Sequence, residues 1–181
     1  MTQILAPGGL ATAPSPHLND RWEVNGCADL GFLDTKNLSG DYPAEHMPIR
    51  LARGFHDHGR NAGWGEVHIM ARHGRWVARV ARQIRKEPLS VAELAWLKLQ
   101  QTGTIYEAEK TSKTKLALSV GHGALMVLQY VSVGFFSITT LYAMPSQIDG
   151  RSVGRYVGRK HRAERPLCEL VSSQTDGRHV F

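Results

Sequence analysis

From Gly54 to Gly74 the chain reads Gly-Phe-His-Asp-His-Gly-Arg-Asn-Ala-Gly-Trp-Gly-Glu-Val-His-Ile-Met-Ala-Arg-His-Gly. Four of its nine histidines, His56, His58, His68 and His73, fall within that stretch. Imidazole titrates near neutral pH, so such a cluster suits either metal ligation or proton transfer. His56 and His58 are two apart, which puts both on one face of an extended strand. His68 and His73 are five apart, about 140° around a helix, so they do not make the i, i+4 pair of a zinc-protease helix. Glu66 does not complete that pattern either. A mixed zinc site from the four histidines stays open, but no spacing requires it, and the expectation is no metal and no cofactor.

Proton transfer asks for a different set of parts. RNA is cut without metal when a base takes the proton of a ribose 2′-hydroxyl and an acid protonates the leaving 5′-oxygen. A cation or hydrogen-bond donor steadies the charged phosphorane between them. DNA lacks the attacking hydroxyl, so this chemistry selects RNA. His68, Arg72 and His73, at or near the start of a helix and facing polar groups of a sheet, would supply these parts. The alternative is that the histidines are ordinary surface or core residues.

The elements that must hold these groups are readable from periodicity. Residues 1–44 carry turn punctuation (Gly8-Gly9, Pro14, Pro16) and no long periodic pattern, so they read as an N-terminal arm or linker. Met47 to Leu51 suits a short strand leading to Gly54. From Trp64 the period becomes helical, with Met70, Val77, Val80, Ala81 and Ile84 on one expected buried face. Gly74 divides or bends this helix, and Pro88 stops it. Ser90-Val91-Ala92-Glu93 is a capping box, with Leu89 and Leu94 at hydrophobic-staple spacing, opening a second helix that Gly103 ends. After Gly103 the period drops to two. Strands are expected at 104–109, 115–120, 124–133 and 135–142, with turns at Gly121-His122-Gly123 and Gly134.

The fold class expected from this order is α+β: N-terminal helices packed on a four-stranded antiparallel meander, in a domain spanning 45–146, with residues 147–181 as a basic C-terminal tail. Residues 124–144 carry no charge and are long enough to cross a bilayer. Their Ser, Thr, Tyr and β-branched content suits two buried strands better, and no membrane association is expected.

The segment Gly63-Trp64-Gly65-Glu66-Val67-His68-Ile69-Met70-Ala71-Arg72-His73-Gly74 resembles the G-x-G-x-x-H-I-x-x-x-H stretch of phage- and toxin-associated nucleases of the barnase/EndoU/colicin/RelE-like superfamily. The last strand, Phe135-Phe136-Ser137-Ile138-Thr139-Thr140-Leu141-Tyr142, resembles the family's closing strand. The resemblance covers about residues 47–145. It implies metal-independent RNA cleavage, often as a toxin, with His68 the leading acid or base, His73 the second, and Thr140 and Tyr142 beside them. By strand parity Thr140 and Tyr142 share a face with Phe136 and Ile138, which reads as partly core, so Ser137 and Thr139 on the other face stay open as an alternative. Glu66 is a candidate base by proximity alone.

Charge agrees with an anionic partner. Twenty-two Lys and Arg against 16 Asp and Glu give a formal net charge of +6, which attracts phosphate. Arg72, Lys110, Lys113, Lys115, Arg155 and Lys160 are the candidate RNA contacts, the last two within a basic run over 151–165. Cys27 and Cys168 are too few and too far apart for a CxxC redox motif, a thiolate zinc site or a disulfide-framed module, and a single disulfide stays open. No signal peptide is read at the start. The functional expectation is a toxin-like endoribonuclease acting in the cytoplasm, delivered as a toxin or made as a phage product, with a cognate immunity or antitoxin protein. The alternatives are a non-enzymatic nucleic-acid-binding or regulatory protein, and a metal protein built on the four histidines.

Overall fold

The computed structural model describes residues 11–12, 17–84, 88–107, 115–121, 123–132, 134–148 and 150–158. Eleven strands and two helices follow in the order β1 (Ala11–Thr12), β2 (Glu23–Val24), β3 (Gly31–Asp34), β4 (His46–Arg50), β5 (Phe55–Asp57), β6 (Ala62–Trp64), α1 (Gly65–Ile84), α2 (Val91–Leu99), β7 (Gly103–Glu107), β8 (Lys115–Val120), β9 (Ala124–Val131), β10 (Phe135–Ala143) and β11 (Arg151–Tyr156).

The expected fold class is corrected here. The molecule is mostly sheet, with a seven-stranded mixed sheet in the order β11-β7-β8-β9-β10-β4-β3. The antiparallel run from β7 to β10 is present within it, but it is not the whole sheet. On one side β4 pairs parallel with β10 and β3 pairs antiparallel with β4. On the other side β11 pairs antiparallel with β7. Strand β3 therefore comes from the segment read as an arm, and β11 from the segment read as a tail. Both escape a periodicity reading for a physical reason. Four residues at β3 hold too few alternations to register, and β11 is a polar edge strand, Arg-Ser-Val-Gly-Arg-Tyr, whose inward residues sit among arginines.

The sheet curls until its two edges approach each other. A Cβ placed on Gly31 of β3 would lie 2.9 Å from the Tyr156 hydroxyl of β11 and 3.3 Å from Leu99 of α2. That Tyr156 hydroxyl donates to the Leu99 carbonyl at 2.9 Å, so the last strand is tied to the end of α2. Helix α2 lies against the core on nearly all sides: seven of its nine residues are buried, the state of a helix that is apolar around its circumference. Its capping box is formed, with the Ser90 hydroxyl accepting from the Glu93 amide and the Glu93 carboxylate accepting from the Ser90 amide. One core cluster joins Trp22, Val24, Leu30, Leu33, Ile49, Ile69, Leu94, Leu118, Met126, Phe136 and Ile138 across arm, helices and sheet.

Helix α1 is continuous through Gly74 for 20 residues; one interior glycine costs a helix only about 1 kcal/mol relative to alanine and does not break it. It buries Ile69, Val77 and Ala81, whereas Met70, expected inside, is 49% exposed. The uncharged 124–144 stretch forms the β9–β10 hairpin. Among the described residues no helix is long and apolar enough to cross a membrane.

Candidate active site

Helix α1 starts where three backbone segments meet. The Glu66 and Val67 amides, two of the donors left over at a helix N-terminus, bond the Ala52 and Arg53 carbonyls at 3.0 Å each. Gly65 takes a φ of +77°, and a Cβ there would lie 2.7 Å from the Ala52 oxygen. The short β5–β6 hairpin folds back over this start, pairing His56 with Gly63. A Cβ on Gly63 would fall 2.2 Å from the Phe55 oxygen and 3.1 Å from Nδ1 of His68. The two glycines of the Gly-x-Gly pattern are thus required by close approach, and one result is to bring the hairpin against His68.

His56 and His68 meet with their Nδ1 atoms 3.0 Å apart. At that distance one nitrogen donates and the other accepts, so the pair holds at most one proton between those two atoms. Burial, then His56, then Arg72 push the His68 pKa below its ordinary value. One helical turn onward, the His73 ring stacks on Tyr142 of β10, with centroids 5.1 Å apart and planes 23° from parallel. Burial, then Arg72, then His68 lower the His73 pKa as well. Arg72 lies between the two in sequence and reaches the Asn61 carbonyl of the hairpin at 3.4 Å. Two imidazoles held neutral, one guanidinium and one phenol thus gather where α1 passes β10.

Strand β10 resolves the parity question through a bulge. Its register with β9 shifts between Ile138 and Thr140: Phe136 faces Tyr130 and Ile138 faces Leu128, but Thr140 faces Val127 and Tyr142 faces Leu125. Residues opposed across a ladder share a face, and an inserted residue exchanges faces for everything beyond it. Thr140 and Tyr142 therefore leave the Phe136 and Ile138 face and join the face of Ser137. The two sets treated as alternatives stand on the same side. Thr139, the inserted residue, donates its hydroxyl to the Val127 carbonyl at 3.1 Å. The buried Thr140 hydroxyl makes no hydrogen bond among the described residues.

Not every expected residue is gathered here. The Glu66 carboxylate accepts from Nε1 of Trp22 at 3.1 Å, which occupies the group considered as a base. Lys115 opens β8 opposite Gln129, which in turn faces Ser137, so it stands two strands from β10 on the same face. Arg155 lies on β11, the edge of the sheet four strands from β10. Lys110, Lys113, Lys160 and Cys168 lie outside the described residues. His58 packs edge-on against His56 at 4.6 Å between centroids. No group of three or more His, Cys, Asp or Glu suited to hold a metal occurs among the described residues. The residue that sequence reasoning did not assign to proton transfer is His56. Its signal was the glycine opposite it, Gly63, which leaves room for a ring from the helix.

Comparison of the chain with protein-family models, with curated proteins and with solved structures finds no match.

Proposed function

We propose that this chain is a metal-independent endoribonuclease. In this reading a neutral imidazole takes the proton of a ribose 2′-hydroxyl, the 2′-oxygen bonds to phosphorus, and the bond from phosphorus to the 5′-oxygen breaks. A second group protonates the departing 5′-oxygen, and a 2′,3′-cyclic phosphate remains. The observation that carries the reading is the pair of α1 imidazoles, one shared with His56 and one stacked on Tyr142, with Arg72 beside both. Imidazoles below their ordinary pKa are in the form a general base needs at neutral pH. The Arg72 guanidinium suits the charge that develops on the phosphorane. The resemblance of the Gly63–Gly74 segment to toxin-associated nucleases points the same way. With it go a cytoplasmic site of action, delivery as a toxin or phage product, and a protective immunity or antitoxin partner.

Purified protein incubated with total RNA and labelled tRNA in excess EDTA tests this. Cleavage products ending in 2′,3′-cyclic phosphate, lost in His68→Ala and His73→Ala, are the expected result. The second reading is a nucleic-acid-binding or regulatory protein without catalysis, favoured by the net charge of +6. It predicts salt-sensitive RNA binding with no product at any protein concentration.

A further inference from the structure

Beside the imidazole cluster lies a cleft of about 560 Å³, lined among others by Arg21, Trp64, Gln129, Phe135, Ser137 and Thr139. That volume lies in the range of about 300–1,000 Å³ of small-molecule sites. Chain connectivity places the cleft next to the proposed chemistry: Trp64 directly precedes α1, and Thr139 directly precedes Thr140. Its contents are of three kinds. Trp64 and Phe135 offer aromatic surface, while Gln129 and Ser137 offer donors and acceptors. The third kind is charge. The Arg21 guanidinium sits 4.4 Å over the Phe135 ring. Arg50 also approaches that ring, at 5.1 Å, but it is ion-paired with Asp29, whereas Arg21 has no ion pair among the described residues. Burial, then Arg50, lower the Arg21 pKa, partly offset by Asp29. Exposed Lys115 stands opposite Gln129 across the β8–β9 ladder, adding a second cation on that face.

We propose that this cleft is the nucleotide subsite of the ribonuclease, taking one unstacked base of a single-stranded RNA against Trp64, with Gln129 and Ser137 at its edge and Arg21 on a neighbouring phosphate. The inference rests on the ribonuclease reading and adds to it a substrate class, single-stranded RNA read one base at a time. Sequence-selective RNA sites use this combination of aromatic stacking and edge contacts, because only a base out of the stack exposes both. Phosphate contacts set position and the base contacts set preference.

The test uses the full chain carrying His68→Ala, titrated with each of the four nucleoside 3′-monophosphates. Binding is read from tryptophan indole signals in ¹H–¹⁵N spectra, with the Trp64 signal assigned by its loss in Trp64→Phe. The expected result is movement of the Trp64 signal with one base favoured, affinity about tenfold lower in Arg21→Ala by the same signal, and about tenfold lower in Trp64→Ala by titration calorimetry. Thermal melts confirm that each variant folds, and exposed Lys115→Ala, expected to weaken binding by a smaller factor, gives a variant remote from the core. An unmoved Trp64 signal, or equal binding in all these variants, overturns the subsite. Cleavage assays on the His68-containing chain separate the two claims. If RNA is cut with KM and base preference unaltered by Arg21→Ala and Trp64→Ala, the subsite falls and the ribonuclease stands. If nucleotides bind at Trp64 but no RNA is cut, the ribonuclease reading falls and a nucleotide site remains.

Discussion

The two helices of this protein divide its labour. Helix α2 has nine residues and buries seven; α1 has 20 and buries four. The short helix is a core element, capped at its start and tied at its end to the last strand. The long helix rests on a narrow apolar stripe of Ile69, Val77 and Ala81 and presents His68, Arg72 and His73 beside the sheet. Stability and the proposed chemistry are therefore separable by mutation, since His68 and His73 are not core residues and α2 carries none of the imidazole cluster.

The largest effect expected is on rate. His68→Ala should lower the rate of RNA cleavage about 10²–10⁴-fold, the worth of one positioned acid or base, while its thermal melt stays close to wild type. Single-turnover assays in EDTA with a melting curve on the same sample check both halves, and full activity in a folded His68→Ala would break the division. The mirror experiment is Leu94→Ala in α2. Leu94 is fully buried, so its loss should cost about 2–5 kcal/mol of stability, read by denaturant unfolding, with the rate per folded molecule retained. A smaller version on the same helix is Ser90→Ala, which removes the cap and should cost about 0.5–2 kcal/mol.

The pH dependence sharpens the comparison from the other side. His68 and His73 both sit below the ordinary histidine value in the fold. As pH falls through about 6.5 the unfolded chain takes up these protons before the folded chain does. Stability should therefore be constant with respect to these groups above that pH and decline below it, until the folded-state values are passed. Unfolding measured from pH 7.5 to 5 should show a shallower decline in His73→Asn than in wild type. A curve of unchanged slope would place the acid sensitivity elsewhere.

Much of α2 and of the β7–β10 run was legible because its signals are local. A capping box lies within four residues, and strand alternation shows within five to nine. What was not legible depends on partners distant in sequence. Nothing between Gly31 and Asp34 announces that Leu33 will be fully buried, because its neighbours arrive from other parts of the chain. The parallel pairing of β10 with β4 has no turn to mark it. The bulge at Thr139 was hidden for a different reason: it inserts one residue into an otherwise even alternation, so simple counting assigned Thr140 and Tyr142 to the wrong face. In the candidate site, the histidines of α1 were picked out from residue type and from the resemblance carried by the Gly63–Gly74 segment. The contribution of His56 became visible only when the hairpin was folded back over Gly63.

The meeting of the two sheet edges at Gly31, Leu99 and Tyr156 bears on how the protein is made. A ribosome delivers the chain from its N-terminus, and β3 emerges long before β11, the strand whose tyrosine closes against it. Contacts between such distant residues form late because a long loop must be closed first. During synthesis the curled sheet stays open at one seam, and α2 stays unlatched, until β11 has cleared the exit tunnel. A truncation ending before Arg151 would leave β7 as the sheet edge and α2 without its Tyr156 latch.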